Sequence, residues 1–336
     1  MISKNIRSNN NQPFLLRPAG KDYLWGGRRL NDDFSKGMDL YPLAETWECS
    51  THPDGLSVAA NGMFEGISLD KILKQRPDFL GKRWSAGGML PVLVKLIDAD
   101  KDLSIQVHPD DAYARRNENG QSGKTELWYV LDACKDAQLV YGLHHDVSKE
   151  RLRESIGDGT IEKYLQKVSV QKDDVFYVEA GTIHAVGAGV LLAEIQQNSN
   201  LTYRLYDYGR MDSDGKERQL QIEKALDAAN LSGSVQPKQP LRVLKYRRGC
   251  ARELLCRCRY FEVHRMLLNT ERCREMVEYR SDALSFRVLL CIGGCGVAVI
   301  NDGRMFRFFK GDCMFVPADS VQMRLHGKGA FLEVRG

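Results

Sequence analysis

Between Leu103 and His108 the chain alternates strictly between apolar and polar residues, LSIQVH, and period-two alternation predicts a half-buried strand. Leu103, Ile105 and Val107 are placed on one face and Ser104, Gln106 and His108 on the other. Pro109 cannot donate to a ladder, so the strand should end there and a short helix begin. Pro91 to Ile97 reads as a buried strand carrying one charge, Lys95, which is costly in an apolar strand unless paired. Further strands are expected over Lys124–Asp132 with Gln138–Gly142 pairing beside it, Val168–Val178, Val190–Gln196 and Thr202–Asp207, and an outer strand and hairpin over Ala44–Gly55. Helical spacing marks residues 68–84, broken or kinked at Pro77, then one or two helices in 146–167, and 220–230. Residues 232–240, SGSVQPKQP, read as a linker. Beyond it come short strands with Gly turns: Tyr260–Leu268, Glu275–Tyr279, Ser285–Cys291, Val297–Asn301, Cys313–Val316, Val321–His326 and Phe331–Val334. Regularly spaced short strands predict a barrel or sandwich. The pattern is therefore mainly β with added helices, in two domains, 1–235 and 241–336.

Length and composition narrow the class. The 336 residues can bury a sizeable core, and 27% charged with 43% hydrophobic residues is ordinary for a globular protein. A net charge of +4 does not point to nucleic acid, and no apolar run reaches the length of a membrane span. The polar, Asn-rich residues 1–12 read as a mobile arm without the apolar segment of a secretory signal. Nine cysteines, an odd number without zinc-knuckle spacing, are expected as reduced thiols in a cytoplasmic protein. The Arg-rich run from Arg242 to Arg274 is expected as a solvated face. No Gly-rich phosphate loop is present to support a nucleotide-binding kinase.

An internal repeat brings in chemistry. Lys172-Asp-Asp-Val-Phe-Tyr-Val-Glu-Ala-Gly-Thr-Ile-His184 aligns with Lys310-Gly-Asp-Cys-Met-Phe-Val-Pro-Ala-Asp-Ser-Val-Gln322. Both segments resemble the second motif of cupin barrels, a strand–turn–strand that presents a metal-binding His. The first keeps His184 and the second has Gln322. The resemblance implies two cupin-type jelly-roll β-barrels, with the metal site in the N-terminal one. That half offers Gln106, His108, Glu126 and His184 on strands or strand ends. Two imidazoles, one carboxylate and one carboxamide without thiolate suit Zn²⁺ and leave room for water or substrate; Fe²⁺ or Mn²⁺ would also be held.

The motifs Leu103-Ser-Ile-Gln-Val-His-Pro-Asp110, Lys124-Thr-Glu126, Gly181-Thr-Ile-His-Ala185 and Glu194 to Arg210, with Trp25-Gly26-Gly27 and Glu45-Thr-Trp47, resemble the type I mannose-6-phosphate isomerases in their short bacterial form. The similarity spans nearly the whole chain. It implies one Zn²⁺ per chain on Gln106, His108, Glu126 and His184, and an active-site arginine at Arg204. It also places pocket lysines at Lys95 and Lys124 and a hydroxyl at Ser104. Longer members carry Ser-Asp-Asn before the arginine and Thr-Pro-Lys after it. Here those places read Ser199-Asn200-Leu201 and Asp207-Tyr208-Gly209-Arg210, which leaves open whether Arg210 takes the lysine's place. Asp173 and Glu179 replace the usual Gly and Pro of the cupin motif.

The implied reaction interconverts D-mannose 6-phosphate and D-fructose 6-phosphate through a cis-enediol, with Arg204 stabilising the charge on oxygen. Lys124 and Glu194 are the candidates for the base, with Glu45 competing; Ser104, Lys95, Arg210 and Glu45 are the candidates for holding substrate. The alternatives are an Fe-dependent cupin dioxygenase and a non-catalytic sugar-phosphate-binding cupin. The expected partner is a small sugar phosphate, with no nucleic acid and no membrane; monomer and homodimer both stay open.

Overall fold

A computed structural model describes residues 11–86, 89–211, 214–237, 239–273 and 275–336; of the expected N-terminal arm, residues 1–10 lie outside the described residues. The strands are β1 (Phe14–Arg17), β2 (Ala19–Lys21), β3 (Glu45–Cys49), β4 (Val58–Ala59), β5 (Val92–Ala99), β6 (Ile105–Val107), β7 (Glu126–Ala133), β8 (Gln138–Leu143), β9 (Leu165–Ser169), β10 (Val175–Val178), β11 (His184–Val186), β12 (Val190–Gln197), β13 (Tyr203–Tyr206), β14 (Lys245–Arg247), β15 (Cys250–Arg257), β16 (Glu262–Asn269), β17 (Val277–Tyr279), β18 (Arg287–Ile300), β19 (Met305–Phe309), β20 (Cys313–Val316) and β21 (Met323–Arg335). The helices are short: α1 (Arg29–Phe34), α2 (Leu69–Gln75), α3 (Asp111–Asn117), α4 (Lys149–Gly157) and α5 (Ile222–Ala228). The protein is mainly β, and its sheets are antiparallel and open. None of the described helices is long and apolar enough to cross a membrane. The chain divides into two compact units, one made of Gly20–Trp47 and Leu93–Pro240, the other of residues 11–19, Glu48–Val92 and Leu241–Gly336.

In the first unit two sheets share one core. One runs β10-β7-β12-β5-β3-β2 and the other β13-β6-β11-β8-β9. Between them pack Ile97, Trp128, Val130, Phe176, Val178 and Leu192 of the first sheet with Leu139 and Val186 of the second. A separate apolar layer lies on the outer face of the second sheet, where Ile105, Val107, Ala185 and Leu205 meet Leu152 and Ile156 of α4 and Leu226 of α5. The alternation expected from Leu103 to His108 therefore holds only from Ile105 on. Leu103 precedes β6 and packs in the inter-sheet core with Trp128. Asp110 caps α3 by accepting the amide N–H of Tyr113 at 2.7 Å, and Pro109 separates strand from cap as its missing donor requires. Pro77 acts as predicted: α2 stops at Gln75 and a 3₁₀ turn, Pro77–Leu80, follows.

Several pairings differ from the sequence reading. β8 does not lie beside β7; it pairs with β9 and β11, while β7 pairs with β10 and β12. Proximity in sequence favoured a hairpin, but the inward positions of β8 belong to the opposite sheet. Only α4 and one 3₁₀ turn fill 146–167, and Leu165–Ser169 already forms β9. The linker is tied down locally: Ser234 donates its N–H to the Leu143 carbonyl at 2.8 Å, and the Gln239 side chain accepts from the Val175 N–H at 2.7 Å.

The second unit holds a ten-stranded sheet, β14-β15-β16-β21-β18-β20-β1-β4, with β17 on β21 and β19 on β18. Two pairs of expected strands are each one long strand, β18 and β21. The glycines that read as turns are instead where these two strands approach closely. Gly294 has φ 79°, and a Cβ there would stand 2.0 Å from the Lys328 carbonyl oxygen. Strand β15, within the Arg-rich run, was not foreseen; Cys250, Ala251 and Leu255 on it are buried.

The internal repeat is structural as well. Its two turns place left-handed residues at matching positions, Asp173 (φ 73°) with Gly311 (φ 101°) and Gly181 (φ 91°) with Asp319 (φ 48°). Register extends the match. Val178 faces Glu126 across β10 and β7, and Val316 faces Arg287 across β20 and β18, so Arg287 is the counterpart of Glu126. Trp128 faces Glu194 and Leu289 faces Glu333, which makes Glu333 the counterpart of Glu194. In the second unit a guanidinium thus stands where the first has a carboxylate. Arg287 lies 3.5 Å from Glu333 and donates to Asp282 at 2.9 Å and to the Ser285 and Phe286 carbonyls.

Candidate metal centre

The inward-facing positions of the first unit change character along its core. On β7 the sequence runs from Val130 through Trp128 to Glu126, on β12 from Leu192 to Glu194, on β5 from Ile97 to Lys95, and on β11 from Val186 to His184. One end of the space between the sheets is therefore apolar and the other ionisable. Strand alternation supplies this directly, because residues two apart share a face.

Across the second sheet, Arg204 on β13, Gln106 on β6 and His184 on β11 are register neighbours and form one row. The Gln106 amide lies 3.4 Å from His184 Nε2, and a half-turn of that amide presents its oxygen instead. The His184 Nδ1–H donates to the Thr182 carbonyl at 2.8 Å, which leaves Nε2 with a lone pair facing the core. His108 closes on the same point, its ring 4.7 Å from that of His184. From the facing sheet comes Glu126, with Oε1 3.2 Å from His108 Nε2 and Oε2 3.7 Å from His184 Nε2. Ligand atoms of His108, Glu126 and His184 all fall within 4.8 Å of one another.

These three side chains are buried. Lys124 Nζ makes a 2.6 Å ion pair with Glu126 Oε1 and lies 3.2 Å from His108 Nε2. Burial and the nearby Lys124 push His108 down to about 3, and burial lowers His184 as well, so both imidazoles are neutral. Glu126 stays well below the usual carboxylate range. Burial opposes ionisation there, and the field of Lys124 overcomes it. Two neutral imidazoles and an ionised carboxylate with their ligand atoms within 4.8 Å of one another make a set that fits a divalent cation, with the Gln106 amide as a fourth ligand.

Behind this cluster sits a second one. Lys95 Nζ is 3.1 Å from Glu194 Oε1 and 3.6 Å from Glu45 Oε2, which gives the strand lysine the pairing it needs. Burial disfavours its charge, yet Glu194, Glu45 and Glu126 together hold its pKa above the ordinary lysine value. Each carboxylate also accepts an indole N–H, Glu45 from Trp47 at 2.7 Å and Glu194 from Trp128 at 2.9 Å. Trp128 in turn stands edge-on to His184, ring centroids 5.3 Å apart. Burial and the Glu126 charge raise the pKa of Glu194. Both indoles were missed as site residues, although Trp128 is two positions from Glu126 on one strand face.

The remaining expected residues fall as follows. Ser104 is buried just before β6. Arg204 is part-buried; burial and Arg218 lower its pKa, and its Nε has no hydrogen-bond partner. Arg210 ion-pairs with Asp207 and donates to the Asp102 carbonyl at 2.5 Å. Arg218, which the sequence did not single out, shares Asp207 with it at 3.2 Å.

The chain is similar to known proteins in sequence and in fold. The family described as phosphomannose isomerase type I, catalytic domain, matches residues 14–163. The chain is 36% identical over 319 residues to mannose-6-phosphate isomerase ManA of Bacillus subtilis, covering 94% of this chain and 96% of that one. It is 40% identical over 220 residues to the mannose-6-phosphate isomerase of Streptococcus mutans, covering 66% and 68%. The crystal structure of the mannose 6-phosphate isomerase from Bacillus subtilis superposes with a TM-score of 0.86 at 34% identity, covering 97% of this chain and 99% of that one.

Proposed function

Because this chain belongs to the type I mannose-6-phosphate isomerase family, we propose that it interconverts D-mannose 6-phosphate and D-fructose 6-phosphate through a cis-enediol. The observation that carries this reading is the convergence of His108, Glu126 and His184, buried, beside Arg204 in the Gln106 row. Gln106, His108, Glu126 and His184 would hold one Zn²⁺, which when bound polarises the substrate oxygens at C1 and C2.

The chain's own residues supply the rest. Isomerisation takes a proton from C2 and returns one to C1 while negative charge grows on oxygen. Arg204, part-buried and free at Nε, is aimed to stabilise that charge. Lys124 and Glu194 are the two groups placed to move the proton. Glu194 has the raised carboxyl pKa that suits repeated transfer, and Lys124 lies nearer the ligands. Lys95 ties Glu194 and Glu45 together by ion pairs, and Ser104, Lys95, Arg210 and Glu45 are the residues we assign to holding substrate. We assign catalysis to the N-terminal portion, residues 1–235, and read residues 241–336 as a metal-free cupin-type copy. The replacement of Glu126 by Arg287 and of His184 by Gln322 supports this.

The test is conversion of mannose 6-phosphate to fructose 6-phosphate before and after exhaustive chelation, with Zn²⁺ added back. Activity lost with chelator and restored by Zn²⁺ is expected. Activity untouched by complete metal removal would overturn the metal's role, and absence of turnover with one metal bound would overturn the substrate.

A further inference from the structure

Past β13 the chain gathers three guanidiniums around one carboxylate. Asp207 is 4% exposed, and its carboxylate takes an ion pair from Arg210 and a second from Arg218, whose Nη1 lies 3.2 Å from Oδ2 and 3.4 Å from Oδ1. The two arginines stand at the neck of one loop. The Arg218 amide donates to the Arg210 carbonyl at 3.2 Å, and Met211 bridges to Glu217. Their donors are used differently. Arg210 also spends Nε on the Asp207 carbonyl at 3.2 Å and Nη1 on the Asp102 carbonyl at 2.5 Å. Arg218 has, among the described residues, no side-chain partner besides Asp207, so the rest of its fork is uncommitted.

Arg204 stands beside this pair, close enough that the charge of Arg218 is felt at its guanidinium. Arg204, Arg210 and Arg218 thus gather at the Asp207 carboxylate next to the metal row. A phosphate monoester near neutral pH carries about −1.5 to −2, and a planar fork is the side chain best shaped to meet it. Arg204 on β13 is the register neighbour of Gln106 and Asp207 directly follows that strand, so the Arg218–Asp207 pair lies at the end of the strand that carries the row.

We propose that Arg218 is a specificity-determining residue that binds the substrate's 6-phosphate, and that Asp207 is the positioning residue that holds its guanidinium toward Arg204. This rests on the sugar-phosphate reading of the site. It makes Arg218 the group that separates a phosphorylated hexose from a neutral one.

The test compares wild type with Arg218→Met and Arg218→Lys in steady-state kinetics on mannose 6-phosphate. Inorganic phosphate serves as competitive inhibitor and as ligand in a direct ³¹P NMR titration. Arg218→Met should raise KM by about 10- to 100-fold, the loss expected for a charge-assisted pair, and weaken phosphate binding by the same factor, with kcat changed by less than about threefold. Arg218→Lys, which keeps the charge and loses the fork, should fall between. Unchanged KM and phosphate affinity would overturn the proposal. So would a drop in kcat at constant KM, since a residue that only neutralises Asp207 would act that way. If Arg218→Met does not fold, Arg218→Lys decides by the same two readouts. If the wild type does not isomerise mannose 6-phosphate, the isomerase reading falls alone. The phosphate titration then stands by itself: weaker binding in the variant supports the seat, and equal binding removes it.

Discussion

Lys95→Met isolates the cluster behind the metal ligands. Lys95 is 3% exposed, and its ammonium is the cation between Glu194 at 3.1 Å and Glu45 at 3.6 Å. At an effective dielectric near 20, each attraction is worth about 5 kcal/mol, most of it offset by the desolvation of three charges. Removing the ammonium forfeits the attraction and keeps the desolvation of both carboxylates, which lie close to Glu126 as well. The expected cost is about 3–5 kcal/mol, the range for breaking a buried pair from one side. Urea unfolding followed by tryptophan fluorescence reads it well, because Trp25, Trp47 and Trp128 are all buried in this unit. Adding Glu194→Gln should recover about 1–2 kcal/mol. The Gln oxygen still accepts the Trp128 indole, while one stranded charge is gone. A single-variant cost below about 1 kcal/mol, or a double variant no better than the single, would refute the argument that these carboxylates are held ionised by Lys95.

The other expectations rest on separate features. Gln106→His replaces a neutral, weakly donating amide by a stronger ligand; metal should resist chelators better while turnover falls by about tenfold, and unchanged turnover would count against a role for the amide in keeping the metal Lewis-acidic. Arg287→Met should destabilise the second unit by about 1–2 kcal/mol, because Glu333 keeps its pair with Arg252 and its bond from Tyr279 while the Ser285 and Phe286 carbonyls lose their donor, with metal content per chain unchanged; a fall in bound metal would contradict the assignment of Arg287 as the cation of a metal-free copy. Glu118 accepts from Lys224 and Tyr203 at 2.7 Å each, and these bonds hold its carboxyl below the usual range. A depressed pKa adds stability above the unfolded value near 4.3 and loses it as pH falls through the folded value. Glu118→Gln should therefore cost about 0.5–1 kcal/mol at pH 7, with the gap to wild type narrowing as the pH falls below the unfolded value in thermal unfolding; a gap that does not narrow in acid would show that packing, not charge, is responsible.

By itself the sequence determined the β-rich class and the two-fold repeat, and it singled out His108, Glu126 and His184, which the fold brings together. Each is written in local patterns: alternation places Gln106 and His184 on inward faces, Pro109 and Asp110 stop the strand and start α3, and matched turns mark the two copies. It also showed that Lys95 needed a partner, because a charge in an apolar strand is costly wherever it folds. Only the tertiary structure decided who the partners are. Glu194 lies 99 residues from Lys95 in sequence, and no local rule selects it over another carboxylate. The same holds for strand pairing: β8 could satisfy its alternation beside β7 or in the opposite sheet, and packing in the shared core chose the latter. Arg218 was illegible for a stronger reason. It sits in a loop without periodicity, and its surroundings exist only once Asp207, Arg204 and Arg210 are gathered in one place.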